Sequence, residues 1–180
     1  MARILIGVTG GISAYKTLDI IRQLSKNGQD VRVILTENAQ KFVTPLTVRT
    51  LAQNAVYIDG AEWNHSNLTH IELSKWADLV LIAPLTANTL AKIAHGFADN
   101  LLTSLILALH TNIPLLIAPA MNTQMWKQSV TQDNLLRTRT FYPSMTCIDP
   151  REAELACGDV GVGAMAETEK ILSQIENLIS

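Results

Sequence analysis

The residues best suited to binding and chemistry lie in three short segments, each of which follows an apolar run. Residues 9–13 contain two adjacent glycines and a serine, residues 84–89 are rich in hydroxyl and amide side chains, and residues 119–126 place Asn122 between two methionines. Glycines let a ligand approach the backbone closely, and the N–H groups at the start of a helix suit a phosphate. The three segments together predict a site for a phosphorylated ligand.

The glycine turn matches neither of two common nucleotide motifs. Its glycines are wrongly spaced for G-x-G-x-x-G, and Tyr15 stands where a P-loop has the glycine before its lysine. The turn is consistent with a generic nucleotide site or with a tight βα turn that holds no ligand. Glu37 follows the second predicted strand, where an acidic residue could bind the ribose of a dinucleotide, so that ligand stays an alternative. Thr36 suits a sugar-phosphate or the edge of a flavin equally well.

Each candidate residue also has a purely structural interpretation. Thr86 or Asn88 could cap a helix, Asn122 could do the same, and the methionines and tryptophan near Asn122 could be ordinary core.

His70 and the two residues after it match the first half of the zinc-deaminase signature. The second half, Pro-Cys-x-x-Cys, is absent, so we expect no metal site. His70 alone is more typical of a structural histidine than of a base. Cys157 lies among glycines, where a core role is less expected than on a helix face.

The elements that must position these residues alternate between strands and helices. The predicted strands are 4–8, 31–35, 56–58, 79–83 and 114–118, and the predicted helices are one ending at Asn27, then 45–52, 90–95, 101–109 and 169–178. This alternation predicts an α/β fold with a doubly wound parallel sheet and ligands at the carboxyl ends of the strands. Residues 59–69 are expected to form a surface loop, 71–76 are ambiguous, and 143–168 are irregular enough to predict a functional flap.

Composition narrows the class of protein. A chain of 180 residues with 48% hydrophobic and 17% charged residues predicts one domain, 1–180, with more apolar surface than a monomer needs, which favours an oligomer. A net charge of −2 and the absence of a basic run argue against nucleic acid as a partner. No apolar run is long enough for a membrane span, so we expect a cytoplasmic protein. In such a protein, two cysteines ten residues apart are expected to be free thiols.

Five features of the chain resemble, in the same order, the homo-oligomeric flavin-containing cysteine decarboxylases. They are residues 10–16, His70, residues 84–89, the Pro-x-Met-Asn-x-x-Met-Trp match at 119–126, and the glycine-rich residues 156–163. The resemblance covers essentially the whole chain. It implies a single three-layer domain of Rossmann or flavodoxin-like type with a C-terminal substrate flap at about 143–168.

The resemblance implies FMN rather than a dinucleotide as the cofactor. It assigns the cofactor to Gly10, Gly11, Ser13, Thr36, Thr86, Asn88 and Thr89. It assigns the substrate to Met121, Asn122, Ala156, Cys157 and Gly158. It further implies that His70 assists the oxidative step and that Cys157 is the proton donor of the flap.

The activity that the resemblance implies is decarboxylation of 4'-phosphopantothenoylcysteine to 4'-phosphopantetheine, a carboxy-lyase reaction of coenzyme A biosynthesis. In this chemistry FMN takes a hydride from the carbon bearing sulfur, and the resulting thioaldehyde is the electron sink for the loss of CO2. An acid then protonates the enethiol while the hydride returns, and a thiol is largely protonated at pH 7. Asn122 can hold the carboxylate without strong charge pairing.

Two departures and two alternatives accompany the resemblance. Ala164 stands where the flap commonly carries arginine, and Thr168 replaces a frequent proline. The enzymatic alternative is a peptidyl-cysteine decarboxylase of lantibiotic type that stops at the enethiol, and the other is a non-catalytic flavin-binding regulatory subunit. The resemblance also implies a homotrimer or homododecamer and a ligase partner, fused or separate.

Overall fold

The computed structural model describes residues 1–59, 69–154, 158 and 160–179, and its centre is a sheet of six parallel strands. The strands of this sheet are β1 (Arg3–Val8), β2 (Asp30–Leu35), β3 (Val56–Ile58), β4 (Leu79–Leu85), β5 (Leu115–Pro119) and β6 (Met145–Cys147). Their order across the sheet is β3-β2-β1-β4-β5-β6, and every neighbouring pair is parallel. The chain therefore winds outward in both directions from β1 and β4, which confirms the predicted doubly wound sheet.

Helices cover both faces of the sheet. They are α1 (Ala14–Lys26), α2 (Pro45–Ala52), α3 (Thr69–Trp76), α4 (Ala87–Ala94), α5 (Leu101–Leu107), α6 (Thr123–Lys127), α7 (Ser129–Phe141) and α8 (Thr168–Ile179), with a 3-10 helix at Glu37–Lys41. One hydrophobic cluster joins the sheet to α1, α2 and α8, and a second joins the opposite face to α3, α4, α5 and α7. The result is a three-layer arrangement. Among the described residues, no helix has both the length and the apolar character needed to cross a bilayer.

The strand β1 shows how the alternating side chains build these layers. Ile4 and Ile6 belong to the first cluster and Leu5 to the second, because successive side chains of a strand point to opposite faces. Gly7 faces the second cluster, where a Cβ would lie 2.6 Å from a methyl carbon of Leu102. The glycine therefore allows α5 to pack close against the centre of the sheet.

The strand β4 runs further than its sequence predicts. Pro84 is expected to end it, but the strand continues to Leu85, and its pairing with β5 shifts register between Ile82 and Leu85. Proline cannot donate a ladder hydrogen bond, and the irregular pairing removes the need for one. The bounds of α2 and β3 agree with the sequence prediction.

Two predicted irregular segments contain regular structure. Of residues 143–168, predicted as a flap, Met145–Cys147 forms the edge strand β6 of the main sheet. The rest includes an antiparallel hairpin of β7 (Arg151–Glu154) and β8 (Val160–Ala164). In the predicted surface loop 59–69, Asp59 is buried and Thr69 begins α3, while residues 60–68 lie outside the described part of the chain.

Candidate functional site

A large cavity opens where the strands of the main sheet end. Its volume is about 1190 Å³, and its walls are the loops after β1, β2, β3, β4 and β5 together with the β7–β8 hairpin. Ligands of doubly wound sheets bind at this edge, near the point where the strand order reverses. Pockets for one small ligand measure roughly 300–1,000 Å³, so this cavity has room for a cofactor and a substrate together.

The turn between β1 and α1 forms one wall through Gly10, Gly11 and Ser13. A Cβ at Gly10 would overlap that of Asn38, so glycine is needed for the two loops to meet. The amides of residues 14–16 already donate to the carbonyls of residues 11–13, so they are not the free anion donors that the sequence predicts. The first turn of α1 holds no acidic side chain, and Ser13 makes no side-chain capping bond. No acidic side chain in this turn therefore offsets the positive end of the helix dipole, which faces the cavity wall.

Threonines connect the glycine turn to the loop after β4. The Thr9 hydroxyl donates to the Pro84 carbonyl at 2.7 Å and accepts from the Thr86 amide at 3.1 Å. The Thr86 hydroxyl accepts from the Thr89 amide at 3.3 Å and donates to the Thr89 hydroxyl at 3.2 Å. Thr86 is therefore a helix cap, as the structural interpretation predicts. It also lines the cavity, together with Thr89 and the exposed Asn88.

The loop after β2 contributes Thr36 and Glu37 to the same cavity. Thr36 is buried, and its hydroxyl accepts from the Ala39 amide at 3.3 Å, which caps the 3-10 helix. Glu37 is exposed beside it. The fold therefore brings together all seven residues that the resemblance assigns to the cofactor.

The loop after β5 places Met121 and Asn122 at the cavity wall. The Oδ1 atom of Asn122 accepts from the Gln124 amide at 2.8 Å, so this side chain caps α6. Met125 is 47% exposed and lines the cavity, so it is not the core residue of the structural interpretation. Trp126 does pack against the second hydrophobic cluster.

The strand β8 lies directly on this loop. The Met121 amide donates to the Gly163 carbonyl at 2.9 Å. A Cβ at Gly163 would clash with the Met121 carbonyl oxygen, and one at Gly161 would clash with the Thr123 hydroxyl. The two glycines therefore allow the hairpin to contact the Met121–Asn122 loop through its backbone.

Ion pairs place three cations around the cavity. Lys16 and Arg151 both approach Glu167, at 3.9 Å from the Lys16 Nζ atom and 2.7 Å from the Arg151 Nε atom. Lys92 pairs with Asp99 at 2.5 Å on another part of the wall. The five side chains are partly exposed, so water screens these pairs and a bound anion could compete for the cations.

Asp59 is a site residue that the sequence analysis missed. It is only 6% exposed, it lines the cavity, and its Oδ1 atom accepts from the Leu101 amide at 2.8 Å. Its Oδ2 atom is buried and has no hydrogen-bond partner among the described residues. Burial raises the pKa of this carboxyl to about 6, with a smaller contribution from Asp99, against the lowering effect of the Leu101 and Leu102 amides and of Lys92. Its position directly after β3 was the signal that could have revealed it.

The structure does not bring His70 to this cavity, and it does not describe Cys157. His70 is half-buried on α3, and it is not among the described residues that line the cavity. Ala156 and Cys157 lie outside the described residues, while Gly158 is exposed with a φ of +86°. The other cysteine, Cys147, is partly buried, and burial raises the pKa of its thiol to about 12, which suits a structural role.

Comparison with known proteins identifies the class to which this cavity belongs. The chain belongs to the flavoprotein family, whose model matches residues 1–180. A probable phosphopantothenoylcysteine decarboxylase of Streptococcus mutans is 45% identical over 97% of both chains. The coenzyme A biosynthesis bifunctional protein CoaBC of Haemophilus influenzae is 44% identical over 98% of this chain, which spans 44% of that longer protein.

Solved structures agree with this assignment. A mutant of PPC decarboxylase complexed with pantothenoylaminoethenethiol has a TM-score of 0.87 at 36% identity, covering 99% of this chain and 98% of that one. The FMN binding protein AtHal3 has a TM-score of 0.82 at 38% identity, over 98% of this chain and 95% of that one. The resemblance found in the sequence motifs is confirmed.

The cofactor of this protein is a flavin, and the described residues fit such a group. At Gly11 a Cβ would meet nothing closer than 3.7 Å, and the loops after β2 and β4 present hydroxyls and an amide. The buried Oδ2 atom of Asp59 lacks a partner of its own. A phosphate at the helix end and uncharged polar atoms elsewhere would satisfy these groups.

Proposed function

We propose that this protein is an FMN-dependent carboxy-lyase that converts 4'-phosphopantothenoylcysteine to 4'-phosphopantetheine in coenzyme A biosynthesis. The names of its relatives support this activity. The observation in this molecule that carries the proposal is the Met121–Asn122 loop, which β8 covers and which faces the same cavity as the glycine turn. The substrate and the flavin would therefore share one space.

FMN is the flavin that we assign to the cavity. Its phosphate would lie at residues 10–13, because no acidic side chain in the first turn of α1 offsets the helix dipole there. Thr36, Thr86, Asn88 and Thr89 would hold its uncharged polar atoms. When bound, FMN supplies the reversible acceptance of a hydride that a cysteinyl carboxylate needs in order to lose CO2.

Asn122 would hold the substrate carboxylate. Its Oδ1 atom caps α6, so the NH2 group of the amide is the donor that we assign to the carboxylate. A neutral donor orients this group without the charge pairing that would stabilise it before CO2 leaves. The Sγ atom of Cys157 would then give its proton to the enethiol, with Ala156 and Gly158 beside the substrate on the same segment.

Arg151 is the cation that we assign to the phosphate of the substrate. It lies directly opposite Ala164 in the hairpin, and both residues line the cavity. Its guanidinium pairs with Glu167, which is 54% exposed, so an incoming phosphate could replace that carboxylate. Arg151 would thus give the hairpin the positive charge that an arginine at position 164 commonly provides in the family.

A homo-oligomer, trimeric or dodecameric, would complete the site. His70 is not among the described residues that line the cavity of its own chain, so we propose that a second copy brings its His70 to the oxidative step. Exposed apolar side chains such as Leu46, Phe97 and Leu136 are consistent with further burial on assembly. The proposal also includes a cytoplasmic location and a ligase partner, fused or separate.

The proposal is tested with the purified protein and a Cys157→Ser variant. The wild-type protein should be yellow, should release FMN on denaturation and should form CO2 from 4'-phosphopantothenoylcysteine. The variant should still oxidise and decarboxylate the substrate but should form about one equivalent per flavin of a product two hydrogens lighter, with those two hydrogens left on the reduced flavin. Normal turnover by the variant would remove Cys157 as the acid. An absence of turnover by the flavin-loaded wild type would favour the regulatory-subunit alternative.

A further inference from the structure

Asp59 carries a buried carboxyl at the wall of the cavity. Its carboxyl is 6% exposed, and among the described residues only its Oδ1 atom has a hydrogen-bond partner with normal geometry, the Leu101 amide. The Leu102 amide lies near enough to lower the pKa of the carboxyl but does not complete a bond to it. The Oδ2 atom is buried without one, at the wall of the cavity. A buried acceptor that stays unpaired costs free energy, and native proteins seldom leave one in that state. A ligand in the cavity is the natural source of the missing donor.

The charges around Asp59 restrict the chemistry of that donor. The charged side chains that act on it are Asp99, from the loop before α5, and Lys92, from α4, and these two pair with each other at 2.5 Å. With Asp59 ionised, this part of the wall carries a net negative charge, which disfavours a phosphate. The positive end of α1, two strands away at the end of β1, favours one. The phosphate and the Asp59 contact therefore belong to opposite ends of a bound ligand.

We propose that the Oδ2 atom of Asp59 accepts a hydrogen bond from an uncharged donor of the bound flavin, either the imide N–H of the ring or a hydroxyl of the ribityl chain. The inference rests on the proposed function, because it takes FMN as the ligand. It makes Asp59 a cofactor-positioning residue. The Oδ1 atom connects it to α5, and the Oδ2 atom connects it to the flavin.

The protonation of this carboxyl gives the proposed contact a dependence on pH. Its pKa is raised to about 6, so Oδ2 is mainly an acceptor at pH 8. At pH 5 the proton would occupy Oδ2, since Oδ1 faces the Leu101 amide, and two donors would then oppose each other. Asp99 should not contribute to this pH dependence, because Lys92 holds the pKa of the Asp99 carboxyl below its usual value.

The test compares FMN affinity in wild-type protein, Asp59→Asn and the matched control Asp19→Asn. Asparagine keeps one acceptor for the Leu101 amide but puts an NH2 group where Oδ2 lay, whereas Asp19 is exposed on α1 and bonds only Gln23 among the described residues. Flavin-loaded protein is diluted, and the fluorescence of released FMN gives the dissociation constant. We expect Asp59→Asn to weaken FMN binding tenfold or more at pH 8 and Asp19→Asn to leave it unchanged.

The pH dependence separates the proposal from a structural role. The ratio of the dissociation constants of Asp59→Asn and wild type should fall from tenfold or more at pH 8 to within threefold at pH 5. The titration of the FMN phosphate is common to both proteins and cancels in this ratio. Affinities within twofold of each other at pH 8 would overturn the inference and leave Asp59 as a cap of α5 alone.

Two further measurements complete the design. FMN methylated at the imide nitrogen should bind the wild type tenfold more weakly if the ring is the donor, and with unchanged affinity if a ribityl hydroxyl is the donor.

Should Asp59→Asn not fold, the wild type is tested with riboflavin, which has no phosphate. Its affinity should be at least fivefold lower at pH 5 than at pH 8, and equal affinities would overturn the inference. A wild type that binds no flavin at all would overturn the proposed function as well.

Discussion

The Met121 amide donates a hydrogen bond of 2.9 Å to the Gly163 carbonyl, and Gly163 has no space for a side chain. This contact joins the loop that would hold the substrate carboxylate to the hairpin that leads to Cys157. Two segments that are 42 residues apart in the chain are thereby held in one geometry.

Gly163→Ala should separate the hairpin from the Met121 loop. The added Cβ would clash with a backbone oxygen, which cannot rotate away as a side chain can. A displacement of about 1 Å at such a position can lower kcat/KM by about 100-fold, and we expect a loss of this size with normal flavin content. Val160→Ala is the control, since it lies on the same strand with a side chain that is 73% exposed. Wild-type kinetics in Gly163→Ala would show that the contact does not position the site.

Asn122→Asp should slow decarboxylation strongly without unfolding α6. Aspartate caps helices as well as asparagine does, so the bond from the Gln124 amide remains. The new negative charge, however, would repel the substrate carboxylate. We expect kcat/KM to fall by about 100-fold or more, with a melting temperature within about 2 °C of the wild type, a shift that corresponds to at most about 1 kcal/mol. If activity survived in the variant, the carboxylate would have to bind elsewhere.

Arg151→Ala should weaken substrate binding more than it slows the chemistry. The guanidinium would lose its contact with the substrate phosphate, so KM should rise by roughly tenfold while kcat changes little. Arg22→Ala, on the exposed side of α1, removes the same charge away from the cavity and should leave both constants unchanged. An unchanged KM in Arg151→Ala would assign the phosphate to another cation.

Asp59 should make the flavin-free protein less stable as pH rises. Its pKa is raised from 3.8 to about 6 in the folded chain, so its contribution to stability is complete below pH 4 and is lost as pH rises through 6. Relative to wild type, Asp59→Asn should therefore gain up to about 3 kcal/mol of unfolding free energy between pH 4 and pH 7.5. Urea unfolding across this range measures the difference. A constant difference, or one of opposite sign, would contradict the raised pKa.

The elements best predicted from the sequence are those whose ends are fixed by neighbouring residues. Helix α2 begins at Pro45 after the capping hydroxyl of Thr44 and ends before Gln53, which has a φ of +54°. Proline at the first helical position and a threonine cap are visible in the sequence itself. The order of strands and helices, and with it the set of loops around the cavity, follows from the same kind of local signal.

Asp59 and β6 show what local signals could not predict. Asp59 follows a short strand in a polar segment, and its burial depends on a bond to the Leu101 amide, 42 residues away. The strand Met145–Cys147 is only three residues long and exists because it pairs with the edge of β5. The position of His70 relative to the cavity also depends on packing, in this case of α3 against α5. Contacts between distant segments decide all three.

The most direct test of the proposed activity is the mass of the product that the purified wild-type protein forms from 4'-phosphopantothenoylcysteine. We predict a product that has lost one CO2 and nothing else, which is 4'-phosphopantetheine, formed over many turnovers by a protein that remains yellow. A stable product that is lighter by two further hydrogens would contradict this proposal and would indicate an enzyme that stops at the enethiol. The absence of any mass change would contradict the catalytic function itself.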